Sequence, residues 1–407
     1  MDNSIPHTIR LQDGSRCNLT KRIAKRGISL LTLLQSEVTD PRRAQGTRHP
    51  LTLILLIVFV GLLSGSKDLK DACLFARLQQ RLFRTHLQLP LLHGIPDPTT
   101  VSRCLRKLDV EELVSACLQF LAVLGIPLGD VYSFDGKTMC AVTGEAAIRH
   151  ILSLFIHDSH LAIGQIGVGS KENEIPALER LLAQGSSHDL IAGKLLLGDA
   201  LHTQKATVKA ILKARADYLF VVKGNQKQLG RAIAAALQRR SATDQDSYTQ
   251  VDTTRKRTVT TTVTAITAQP GAALLPGLTG SNHWDGVQTM GILHRVGTRT
   301  SKDGTVHEID ETIGFISSRL LSAEAVTTHL RKHWCIENNL HWVKDEVFGE
   351  DKHSLRKGQA PQVMSWLRSL VISLCNGLKL KSISDTIHNL QKSPKLLEQF
   401  LQMAAVV

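Results

Sequence analysis

Three acidic residues stand where a rigid element could aim a carboxylate. Asp135 directly follows the β-forming run Val131–Phe134, in the string DGKT. Asp199 follows Leu195–Leu197, in the string GDALHTQK, with a helix expected just after it. Carboxylates at strand ends are held by the sheet and can converge on a shared ion, and hard divalent cations such as Mg²⁺ take oxygen ligands. Each acid also has a plainer reading. Asp135-Gly136 taken alone is a hairpin-turn signal, and Asp199 taken alone is a helix N-cap. The third acid, Glu337, lies in HWCIENNLHWVKD, which begins at His333. At about 100° per residue, Ile336, Leu340, Val343 and Val347 form an apolar stripe beside a second stripe of His333, Glu337, His341 and Lys344. A solvated amphipathic helix gives a similar wheel. The spacing of His333, Glu337 and His341 differs from that of HExxH zinc hydrolases, in which the Glu sits beside a His.

The elements that must position these residues follow from local pattern. Short runs rich in β-formers occur at Val131–Phe134, Ile151–Ile156, Leu161–Val168, Leu195–Leu197 and Tyr218–Val222. Helical stretches at Ile175–Gln184 and Gln204–Ala214 separate the later ones, which predicts an α/β fold with a mixed sheet and packed helices. That order suits a ribonuclease H-like catalytic core. Upstream, Leu51–Leu63, Asp68–Leu87 and Glu111–Leu124 have helical length and composition, and a new helix is expected to be capped at Thr99 or Thr100. Ser247–Ile266 and Met290–Ile316 are Thr- and Val-rich, with turn signals at Asp285-Gly286 and Asp303-Gly304, and read as a β-rich insertion. After Ser322 the chain returns to helix. The expected division is a helical N-terminal domain over 1–125, the core over 126–245 and 319–407, and the β-rich insertion over 246–318.

Composition narrows the partner. The chain has 407 residues, 43% of them hydrophobic, and a formal charge of +13, so it is globular and its basic balance suits a polyanion. Arg16, Lys21, Arg22, Lys25 and Arg26 cluster near the N-terminus, followed by Arg42, Arg43 and Arg48. The apolar run Leu51–Leu63 falls short of the roughly 20 residues a membrane span needs, so no membrane partner is expected. Seven scattered cysteines without close pairing fit reduced thiols in the cytoplasm. Trp284, Trp334 and Trp342 are read chiefly as core, with base stacking as the alternative.

Taken together, the strings resemble the insertion-sequence transposases of the DDE class, in the H-repeat-associated branch, from about Asp40 to Leu380. DPRR at Asp40–Arg43 and PTTVSRCLRKLD at Pro98–Asp109 are similar to the family's helical region. FDGKT at Phe134–Thr138, GDALHTQK at Gly198–Lys205 and HWCIENNLHW at His333–Trp342 are similar to its three catalytic motifs, and KENEIPALERLL and ADYLFVVKGNQ to the stretches between. His333 stands where the wider group has Arg, as is usual in this branch, and Cys140 stands where Arg is frequent. The resemblance implies a transposase that binds Mg²⁺, or Mn²⁺ in its place, as two ions on Asp135, Asp199 and Glu337. Water would free a 3′-OH at the element end, which then attacks target DNA. It further implies double-stranded DNA as partner, contacted by Lys344, Lys137, Lys223 and His333, and a homo-oligomer assembled on that DNA. Three other readings stay open: an inactive, domesticated DNA-binding relative, a ribonuclease H-like nuclease without strand transfer, and a basic scaffold.

Overall fold

The computed structural model describes residues 9–10, 16–17, 28–139, 150–169, 172, 174–187, 189–254, 256–269, 274–275, 278–301, 303–352, 355–404 and 406. Lys21, Arg22, Lys25, Arg26 and Cys140 lie outside them. The chain forms two compact units, one of residues 1–129, 136–177 and 335–407, the other of residues 130–135 and 178–334.

The first unit is mainly helical. Its helices are α1 (Leu30–Glu37), α2 (Leu51–Leu63), α3 (Leu69–Leu78), α4 (Pro98–Leu105) and α5 (Val110–Val123). Every residue of α2 is buried, because a helix apolar on all sides but for Thr52 has no face to give to water. Asp68 caps α3, which ends at Leu78, and a π-helical turn follows at Leu82–His86, so the single helix expected over Asp68–Leu87 is two pieces. The fourth helix is capped by Asp97, which accepts from Thr99 N, with Pro98 at the first helical position. That corrects the cap expected at Thr99 or Thr100, since Pro at that position marks the residue before it as the cap. Asp40 and Arg42 of DPRR clamp each other, with Arg42 Nε to Asp40 Oδ1 at 2.8 Å.

Three strands contribute to the sheet here: the end of β1 (Val131–Thr138), then β2 (His150–Ile156) and β3 (Ala162–Val168), in the order β3-β2-β1. The β2–β3 pair is antiparallel. Helix α6 (Glu174–Ser187) begins in this unit. At the C-terminal end of the chain the unit gains a long helix over Ala360–Gly377, which packs on α2, α5 and β3. Two polar groups buried along it are paired with β3: Ser373 Oγ accepts from Ala162 N at 2.9 Å, and the Gln362 carbonyl accepts from Gln165 Nε2 at 3.2 Å.

The second unit is built on the start of β1, β4 (Leu195–Gly198), β5 (Asp217–Val222), β6 (Asp246–Thr254), β7 (Arg257–Thr267), β8 (Thr289–Thr300) and β9 (Val306–Ser317). The order is β1-β4-β5-β9-β8-β7-β6. Pairing is parallel from β1 through β5 and antiparallel from β5 onwards. Helices α7 (Lys205–Lys213) and α8 (Lys227–Arg239) are amphipathic. The β-rich segment therefore continues the sheet edge to edge, and Asp303-Gly304 lies in the tight connection between β8 and β9. Helix α9 (Ala323–Lys332) packs on β6 and β7. The core beneath it contains Val131, Leu195, Leu197, Leu219, Phe315, Ala323 and Val326. A fully buried Leu or Val of this kind stabilises by about 1.5–3 kcal/mol. No helix among the described residues is long and apolar enough to cross a membrane.

Candidate active site

In the second unit, strands β1 and β4 run parallel with Val131 opposite Leu195, Tyr132 opposite Leu196 and Ser133 opposite Leu197. The register offset is constant, and extending it by two residues sets Asp135 opposite Asp199. Neighbouring strands lie about 4.8 Å apart, so on that extension the two residues stand side by side, Asp135 within β1 and Asp199 just past the end of β4. Alternation along a strand puts Val131, Ser133 and Asp135 on one face, with Leu195, Leu197 and Asp199 beside them. The face is apolar where it is covered by the core and acidic beyond it, at Asp135 and Asp199.

The opposite face explains Gly198. A Cβ there would lie 2.6 Å from Cζ of the buried Phe134, so the ring needs the bare backbone. Phe134 in turn meets the His202 ring edge-on at 4.7 Å. Asp199 keeps its plainer role too: its Oδ1 accepts from Leu201 N at 2.9 Å and from His202 N at 3.2 Å, capping a short 3-10 turn. The cap fixes the side chain that the chemistry would use.

Helix α9 supplies the roof over the strand ends. Ala323, Val326 and Leu330 pack toward the core, and the next residue at that spacing is His333. Its Nδ1 bonds Ser133 Oγ at 2.8 Å. Burial pushes the His333 pKa down, against the pull of the Asp135 and Asp199 carboxylates, so the imidazole favours its neutral form. His333, expected to contact DNA, is a half-buried neighbour of the two aspartates.

The first unit carries the remaining residues. The Asp135-Gly136 hairpin is not formed: β1 runs on through Thr138 without a break. Gly136 leaves room for a hydrogen-bonded pair, His150 Nε2 with Glu174 Oε1, and a Cβ at 136 would collide with both. Thr138 Oγ1 meets the other ring nitrogen of His150 at 3.2 Å. Sequence reasoning did not single out His150, because nothing in local spacing ties position 150 to 136 or 174. Glu337 is exposed and opens a π-helical turn, Glu337–His341, which leads into α10 (Trp342–Glu346). The extra residue in that turn shifts the helical phase, so a regular wheel does not describe this segment. Single π-helical turns recur at functional sites.

Lys344 does not reach solvent. Its side chain is 1% exposed and donates to Gln165 Oε1 at 3.2 Å and Ser365 Oγ at 3.0 Å, and burial lowers its pKa to about 8. The phosphate contact expected of it has no surface from which to form in this arrangement. Lys137 is likewise engaged, donating to Asp345 and, at 3.1 Å, to Glu350 Oε2. In the second unit Lys223 is exposed and lines a cleft of about 430 Å³ with Val222, Gly224, Gly230 and Ala234. Trp334 and Trp342 are more than half exposed, which corrects their reading as core, whereas Trp284 and Trp366 are buried. Cys73, Cys104, Cys117 and Cys375 are buried thiols. Among the described residues, no three His, Cys, Asp or Glu side chains gather as a ready-made metal cluster.

A family model described as Transposase DDE domain matches residues 95–374, and one described as DDE_Tnp_1-associated matches residues 34–121. Over 352 residues the chain is 28% identical to "Putative protein YbfL" of Escherichia coli (strain K12), covering 85% of this chain and 90% of that one. It is 27% identical, with the same coverage, to "H repeat-associated putative transposase YhhI" of the same strain. A third relative, "Putative transposase YncI" of Escherichia coli O157:H7, is 25% identical over 362 residues, covering 86% of this chain and 89% of that one.

Proposed function

Because the chain belongs to the transposases that carry a DDE domain, we propose that it cuts the ends of a DNA element and joins the freed 3′-OH to target DNA, using Asp135, Asp199 and Glu337. The observation that carries this reading is the parallel register of β1 and β4, which, continued by two residues, would set Asp135 beside Asp199. A turn and a cap would have no reason to share it.

The donors suit hard divalent ions, which prefer carboxylate oxygens. Two Mg²⁺ ions, with Mn²⁺ as substitute, would be held by Asp135, Asp199 and Glu337. When bound, they supply Lewis acidity and an activated water. The chain's own groups prepare the setting. The backbone N–H groups of Leu201 and His202 hold one Asp199 oxygen, so that carboxylate is oriented before anything binds. Ser133 fixes the His333 ring, whose neutral form adds no cation to compete beside the acids. Exposed Lys223 contacts backbone phosphate, which positions DNA without reading sequence. Exposed Trp334 and Trp342 offer aromatic faces to an unstacked base. The net charge of +13 favours the polyanion, and the enzyme acts in the cytoplasm as a multimer on double-stranded DNA. The parallel β1-β4-β5 set and the antiparallel β2–β3 pair support a ribonuclease H-like core.

The test is purified protein with Mg²⁺ or Mn²⁺, a duplex bearing the inverted repeats that flank its gene, and a target plasmid. Cleavage plus joining, lost in D135N, D199N and E337Q, is expected. Cleavage without joining would indicate a nuclease, and binding without cleavage would indicate a DNA-binding relative.

A further inference from the structure

Asp135 and Glu337 each belong to an element that continues into one charged network in the first unit. Two residues beyond Asp135, on the same side of β1, stands Lys137. Its ammonium donates to Asp345, eight residues beyond Glu337, and to Glu350 Oε2 at 3.1 Å, with Asp351 Oδ1 at 3.8 Å. The second Glu350 oxygen accepts from Arg368 Nη1 at 3.3 Å. Arg368 and Glu350 are both buried, and Lys344 lies beside them, anchored through Ser365 and Gln165. Burial alone would push the Glu350 pKa up, yet Lys344, Arg368 and Lys137 hold it far below the usual carboxylate range. One buried carboxylate thus gathers cations from β1, from α10 and from the helix over Ala360–Gly377.

Buried ion pairs of this kind add little stability over a well-packed apolar substitute, and their best-attested use is to fix one arrangement among several. We propose that Glu350 is a positioning residue for the metal site: through Lys137 and Asp345 it pins the strand end that continues from Asp135 to the helical segment that continues from Glu337. The inference rests on the reading of those acids given above. Neither Glu350 nor Lys137 touches DNA or metal in this role. Both act through the elements they hold.

The probe is Mn²⁺, titrated into full-length protein and followed by the electron paramagnetic resonance of the free ion, alongside steady-state cleavage of the duplex end. D135N tests the underlying reading and is expected to abolish tight Mn²⁺ binding. E350Q and K137M should each weaken Mn²⁺ binding about tenfold, as loss of outer-shell partners does elsewhere. Each should lower kcat while leaving KM for DNA unchanged. K137M/E350Q should be no worse than the more severe single variant, because both changes remove the same contact. If E350Q does not fold, K137M carries the test, since it leaves Glu350 between Lys344 and Arg368. Wild-type Mn²⁺ affinity in E350Q and K137M, with D135N still deficient, overturns the positioning role and leaves the acids in place. A rise in KM for DNA in K137M, with kcat unchanged, would make Lys137 a phosphate contact and also overturn it. Undiminished Mn²⁺ binding in D135N removes the assignment of the acids and the positioning role with it.

Discussion

Lys344 offers a quantitative test of how this fold treats a charge. Its ammonium is buried, bonded to Gln165 and Ser365, and burial lowers its pKa from 10.5 to about 8. At about 1.4 kcal/mol for each pH unit, that difference corresponds to about 3 kcal/mol. In the unfolded chain the group titrates near its ordinary value. Between pH 8 and 10.5 the folded chain therefore binds fewer protons than the unfolded one, and folding gains stability as pH rises through that window. Below pH 8 the whole penalty is present. K344M removes the titration while keeping an unbranched chain of similar volume, and Ser365 Oγ still reaches Gln165 Oε1 at 3.3 Å, so that acceptor keeps a donor. Urea unfolding of both proteins from pH 7 to 10.5 isolates the group, because other titrations largely cancel in the difference. Wild type is expected to gain about 3 kcal/mol on K344M across the window. A flat difference curve, or an ammonium that titrates near 10.5 by NMR, would show that the charge is solvated and the reasoning wrong.

Other outcomes follow from single contacts. D199N keeps a capping oxygen and should melt within about 0.5 kcal/mol of wild type, whereas D199A should lose about 1 kcal/mol; both should lack cleavage, which separates the cap from the chemistry in one pair of variants. G136A should separate His150 from Glu174 and cost about 2–4 kcal/mol through overpacking and the lost charged hydrogen bond. H150A in the G136A background should cost less than the two single changes added, and strict additivity in urea melts would argue against the close approach. In G198A, crowding of the Phe134 ring should destabilise by about 1–3 kcal/mol, and a melting temperature at or above wild type would contradict it.

Much of this arrangement was readable from residues alone, and the exceptions share a cause. The strand runs near 131, 151, 162, 195 and 218 begin within a residue of their expected places, because β-branched runs bounded by turns carry their own signal, although the first runs four residues beyond its expected end. Asp199 was legible as a cap from its place between a strand and a helix, and it caps the turn that follows β4. Asp135-Gly136 misled as a turn because the reason for its glycine lies at positions 150 and 174, beyond any local window. Lys344 misled in the same way. A helical wheel marks it polar, but Gln165 and Ser365, distant in sequence, determine that it is buried. The π-helical turn at Glu337 defeated the wheel itself, since a pattern assuming 3.6 residues per turn cannot announce where a chain inserts one more.

The shared register of β1 and β4 makes the aspartate pair unequally tolerant of change in length. Side chains along a strand alternate between faces, so one residue added between Val131 and Asp135 would turn the first carboxylate to the Phe134 side of the sheet. A dozen added to the connection between β2 and β3 would leave both acids where they are. Natural length variation in relatives should therefore avoid the few positions inside these two strands and collect in the turns that join the others.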